Sequence, residues 1–82
     1  MIRATLDARR LLCPLPVIRV QDRVAGLAPG DLLDAVCTDP GVRNDIPAWC
    51  RINGHRVVAI REERTEIIVT VEVCKPGGDE KA

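Results

Sequence analysis

Val17-Ile18-Arg19-Val20-Gln21-Asp22-Arg23-Val24-Ala25-Gly26-Leu27-Ala28-Pro29-Gly30-Asp31-Leu32-Leu33-Asp34-Ala35-Val36-Cys37 follows one period and then another. Val17, Val20, Val24 and Leu27 are spaced 3, 4 and 3, with Arg19, Gln21, Asp22 and Arg23 on the other side. That pattern predicts an amphipathic helix of roughly three to four turns starting at Pro14. Ala28-Pro29-Gly30 breaks it, and residues 31–37 read as a buried strand with Leu33, Ala35 and Cys37 on one face. Upstream, Ile2, Ala4 and Leu6 alternate in a short strand over residues 2–6, and residues 7–13 read as a loop. A β-α-β unit results.

Downstream, Thr38-Asp39-Pro40 pairs a side-chain cap with a proline suited to a first helical turn. Val42, Ile46, Trp49 and Cys50 then recur at helical spacing up to the stop Asn53-Gly54. Pro47 lies inside this segment, so the expectation is a first turn at 40–44 and a second piece from Asp45 or Ile46. Residues 55–60 and 66–74 are β-rich and joined by the charged stretch 61–65. In the last strand Ile67, Val69, Val71 and Val73 face one way, opposite the more polar Glu66, Ile68, Thr70, Glu72 and Cys74. The order β-α-β-α-β-β calls for an α/β fold, specifically an α+β two-layer sandwich, with both helices on one face of a single sheet. One domain over residues 1–75 and a flexible polar tail over 76–82 complete the expected organisation.

Composition limits what such a chain does. Eighty-two residues, 24 of them Val, Ile or Leu, make one small core and leave no room for a deep two-domain cleft. Twelve Lys plus Arg balance twelve Asp plus Glu, and Trp49 is the only aromatic residue. Neither a basic field nor a set of stacking platforms is present, which argues against direct nucleic-acid binding. No basic-then-apolar leader or membrane-length apolar run occurs, so the expected location is the cytoplasm. There thiols stay reduced, and Cys13, Cys37, Cys50 and Cys74, spaced 24, 13 and 24, contain no Cys-x-x-Cys pair for a metal site.

Cys13-Pro14-Leu15-Pro16 holds the chemistry. With Pro14 expected at the first helical position, Cys13 falls at or next to the N-cap, where the helix dipole and unpaired N–H groups favour a thiolate. Arg9 and Arg10 would act in the same direction if they fold toward it, and would then hold an anionic sulfur or meet an acidic partner. A triad is disfavoured because the one histidine, His55, begins a strand. A lone accessible thiol suits a sulfur carrier, which takes a sulfane sulfur as a persulfide and passes it on. Two other readings stay open: an interaction module that binds a regulator or RNA through the free sheet face, and a redox sensor using a disulfide from Cys13 to Cys37 or Cys50.

Leu6-Asp7, Leu11, Cys13-Pro14-Leu15-Pro16-Val17, Asp39-Pro40, Asp45-Ile46-Pro47, Trp49-Cys50 and Gly54-His55, in this order and spacing, resemble the TusA (SirA-like) family of sulfur carriers across about residues 5–75. The resemblance implies a four-stranded mixed sheet, a persulfide on Cys13, and no cofactor beyond that covalent sulfur. It also implies a cysteine desulfurase or rhodanese-like donor and a downstream protein acceptor, in tRNA 2-thiouridine formation, sulfur oxidation or cofactor sulfuration. No membrane partner is expected. The chain departs from the family at Arg10, a loop position where Gly is common. Asp39 and Asp45 read most simply as helix caps, or as an ion-pair partner in the case of Asp45, with partner docking as the alternative. Cys37 and Cys50 read as core thiols and Cys74 as an incidental exposed one.

Overall fold

The alternation that starts at Arg3 continues to Ala8, and in the computed structural model, which describes residues 2–74, β1 spans Arg3–Ala8. The strand is longer than expected because Ala8 keeps the alternation going: with Leu6 it points into the core and is wholly buried. Next come α1 (Leu15–Val24), β2 (Leu32–Cys37), α2 (Val42–Asn53), β3 (Arg56–Glu63) and β4 (Glu66–Glu72). The sheet order is β1-β2-β4-β3, with β1 and β2 parallel and β4 antiparallel to both its neighbours. This is the expected β-α-β-α-β-β two-layer arrangement with a mixed sheet. The tail assigned to residues 76–82 lies outside the described residues.

Val20 and Val24 of α1 and Val42, Ile46 and Cys50 of α2 meet Leu33, Ala35, Cys37, Ile67, Val69, Val71 and Val73 of the sheet in one core. Both helices cover the same sheet face. Contrary to the expected break, α2 runs unbroken through Pro47. A proline inside a helix costs about 3 kcal/mol, whereas burying a Val or Ile side chain stabilises by about 1.5–3 kcal/mol. Val42 and Ile46, both at most 1% exposed, bracket the first turn and hold it against the sheet. At the C-terminus Gly54 adopts φ 80°, the left-handed conformation the Asn53-Gly54 stop calls for.

Strand β3 runs on to Glu63 rather than ending at Ile60, because Arg61, Glu62 and Glu63 pair with Ile68, Ile67 and Glu66. The turn shrinks to Arg64-Thr65, with Arg64 at φ 59°. The free sheet face is less open than the sequence suggests: Val36, Ile68 and Thr70 are only 8%, 8% and 3% exposed. An ion-pair net crosses that face. Arg3 grips Asp34 through Nε at 2.7 Å and a second guanidinium nitrogen at 3.1 Å, and the Thr70 hydroxyl donates to the same carboxylate at 2.6 Å. Arg56 pairs with Glu72 and Arg9 with Glu66. Long arginine stems on a sheet surface shield apolar atoms while their heads stay in water.

Candidate functional site

Cys13 stands in the loop that carries the chain from β1 to α1. The helix begins at Leu15, so Pro14 is its N-cap and Pro16 occupies the first turn, where a missing N–H costs no helical bond. Pro14 is therefore not the first helical residue, and Cys13 lies next to the N-cap, the outer of the two positions expected. Its side chain is exposed.

The second helix reaches this loop from the other side. The backbone N–H of Cys13 donates to Asp39 Oδ2 at 2.8 Å, and the Cys13 thiol donates to Asp45 Oδ2 at 2.6 Å. Asp39 Oδ1 also accepts the Gly41 N–H at 3.1 Å, so Asp39 folds its own turn instead of capping α2 from the N-cap position, which Gly41 holds. The two carboxylates converge over Gly41, where a Cβ would touch Asp45 Oδ2 at 3.5 Å and Asp39 Oδ1 at 3.6 Å. Sulfur and two carboxylates form one cluster.

The electrostatics run opposite to the sequence expectation. The hydrogen bond to Asp45, desolvation, and the charges of Asp45 and Asp39 push the Cys13 thiol above its ordinary value. A thiol that donates to a carboxylate would become a second anion beside it on losing its proton. The expected lowering by Arg9 does not occur, since its guanidinium is drawn away to Glu66 at 2.6 Å and Asp7 at 3.3 Å. Arg10 donates its backbone N–H to Thr38 Oγ1 at 2.9 Å and sits at φ 66°. That is a left-handed conformation, which Gly adopts without the steric cost a Cβ brings.

The family model for sulfurtransferase TusA matches residues 4–73. The chain belongs to the TusA family. A sulfur carrier protein TusA of Pseudomonas paraeruginosa is 47% identical over 62 residues, covering 76% of this chain and 78% of its own. One from Pseudomonas putida is 45% identical over 60 residues, covering 73% of this chain and 75% of its own. A crystal structure of a SirA-like protein from Desulfitobacterium hafniense superposes with a TM-score of 0.75 over 92% of this chain and 100% of that one. At 24% identity it speaks for the fold alone, and the two folds agree.

Within this TusA domain the other thiols lie apart from Cys13's carboxylates. Cys37 and Cys50 are buried, and desolvation pushes each up to about 11. Cys74 is exposed at the end of β4, its N–H donating to His55 Nδ1 at 3.2 Å. Trp49 packs against the core and stacks on His55 with ring centroids 5.3 Å apart. The contact that sequence reasoning missed is Cys13 to Asp45. The two are 32 positions apart, and the only signal was the acidic residue at the start of α2, read as a cap, an ion-pair partner or a docking residue.

Proposed function

We propose that this TusA-family chain is a sulfur carrier that loads a sulfane sulfur on Cys13 as a persulfide and relays it to an acceptor protein. The observation that carries this reading is the placement of Cys13: an exposed thiol on the loop entering α1, held by side chains from the loop and helix beyond β2. Leu12 and Leu15 beside it are also exposed, which leaves an apolar rim for a partner to cover.

In loading, the Cys13 sulfur attacks the terminal sulfur of a donor persulfide, R–S–SH. A new S–S bond forms, the donor's S–S bond breaks, and its electron pair leaves with the donor sulfur. The proton lost from Cys13 ends on that sulfur, giving Cys13–S–SH and R–SH with no net oxidation. Unloading repeats the exchange with an acceptor thiol as the nucleophile. Pro14 at the helix boundary and Pro16 in the first turn of α1 stiffen the chain on the helix side of Cys13, so that the sulfur stays presented. Desulfurases and rhodanese-like enzymes are the donor class, and the acceptors belong to tRNA thiolation, sulfur oxidation or cofactor sulfuration. Four free thiols suit the cytoplasm, and among the described residues no helix is long and apolar enough to cross a membrane.

The test is intact mass spectrometry after incubation with a cysteine desulfurase and cysteine, and separately with thiosulfate or polysulfide. The expected result is a gain of one sulfur mass in the wild type and in Cys50→Ser and Cys74→Ser, and none in Cys13→Ser. Loading that survives in Cys13→Ser overturns the mechanism. The family relatives, named as sulfur carriers, do not favour the interaction-module reading.

A further inference from the structure

The carboxylate that touches the reactive sulfur is an odd neighbour for a nucleophile. Activated cysteines sit beside cations or bare helix N-termini, whereas Cys13 Sγ lies 2.6 Å from Asp45 Oδ2 and its own N–H is taken by Asp39. The charges that act on it are those of Asp45 from α2 and Asp39 from the connection before α2, while Arg9 and Arg10 precede it in its own loop. Arg9 is engaged by Glu66 and Asp7, so it offers no cationic counterweight.

We propose that Asp45 is a positioning residue that keeps the Cys13 thiol protonated and unreactive toward small electrophiles while the carrier is unengaged. The proposal rests on the carrier reading and adds a device to the same site. A carrier between partners meets oxidants and small disulfides, and a thiol is far less reactive than a thiolate toward both. The S–H···Oδ2 bond also fixes the direction of the sulfur. Once the thiol proton is gone, Cys13 and Asp45 are two adjacent anions, so the nucleophilic form is favoured only where something else offsets the carboxylate charge.

The test needs no sulfur donor. In a Cys74→Ser background, which removes the other exposed thiol, the rate of iodoacetamide alkylation of Cys13 is followed against pH for the wild-type site, Asp45→Asn, Asp45→Ala and Asp45→Glu. In folded Asp45→Asn and Asp45→Ala the midpoint is expected to fall by about one pH unit, which is about tenfold faster alkylation at neutral pH. Asp45→Glu is expected to lie nearer the wild type. A second measurement needs no variant at Asp45: the native midpoint is expected above that of the same chain unfolded in urea. A native midpoint at or below the unfolded one, or one that stays put in both neutral variants, overturns the proposal. The carrier reading is judged separately by sulfur loading, so the two fail in different assays.

Discussion

Asp39 Oδ2 accepts the backbone N–H of Cys13 at 2.8 Å, joining the loop before α1 to the loop before α2. The clip is a charge-assisted hydrogen bond, and the two N–H groups of Cys13 and Gly41 hold the Asp39 carboxyl below the usual carboxylate range. Asp39→Ala is expected to leave the sheet intact but free the Cys13 loop. Exchange of the Cys13 amide hydrogen should accelerate in NMR, and sulfur loading should slow on the order of tenfold to a hundredfold through loss of orientation. A variant that loads at the wild-type rate with a protected Cys13 amide refutes the clip.

Arg10 at φ 66° carries a steric cost that Gly does not. A left-handed residue with a Cβ costs roughly 1–2 kcal/mol, while Gly gives back about 0.4–1 kcal/mol through the freedom of the unfolded chain. Arg10→Gly should therefore stabilise by about 0.5–1 kcal/mol, read as a rise in the urea midpoint with unchanged slope. The Thr38 hydroxyl still receives the backbone N–H in this variant.

Acid should unfold the protein through three aspartates. Asp31 accepts the N–H groups of Ala28 and Ile2, and Asp39 those of Cys13 and Gly41, which hold both carboxyls low. Asp34 is pushed up by burial, but Thr70, Arg3 and the charge of Arg61 outweigh that and hold it low as well. A group with a depressed folded value contributes stability above its unfolded value, near 3.9, and loses it as pH falls through the folded one. Thermal midpoints should thus be flat from neutral pH down to about 5 and fall below about 4. In Asp31→Asn the fall should be shallower and should start from a lower midpoint.

The four thiols should divide into two classes. Cys13 and Cys74 are exposed, whereas Cys37 and Cys50 are buried and pushed up to about 11. On prolonged labelling two alkylations are expected on the native chain at pH 8, with Cys13 slower than in Asp45→Asn, and four in urea. Labelling of Cys37 or Cys50 under native conditions would contradict the packing of the core.

Most of the fold was legible because its signals are local. The Val17-Val20-Val24 spacing of α1, the β-rich run of β4 and the Asn53-Gly54 stop each depend on near neighbours, and each reappears, although α1 ends at Val24, short of Leu27, and β4 is buried on both faces. What escaped depends on pairing across the chain. β3 extends through Arg61–Glu63 because β4 supplies partners, and α2 survives Pro47 because Val42 and Ile46 have a sheet to bury against. At the site, Cys13-Pro14-Leu15-Pro16 marked the thiol, but the sign of its electrostatics did not follow from the helix start. That sign is set by Asp39 and Asp45, brought in from 26 and 32 residues away, and by Glu66, which draws off Arg9 from 57 away.

Strand β4 is the last strand among the described residues but lies inside the sheet, between β2 and β3. During synthesis β1, α1, β2, α2 and β3 are therefore all made before the strand that joins them. Leu33, Ala35 and Cys37 have no neighbour on one side until Val71, Val69 and Ile67 arrive. Native pairing is non-local and late, a topology that slows folding and leaves the growing chain exposed to aggregation. A nascent carrier thus has its thiol loop outside the ribosome before it has a core, and a chain stopped at the Arg64-Thr65 turn should be cleared as unfolded polypeptide.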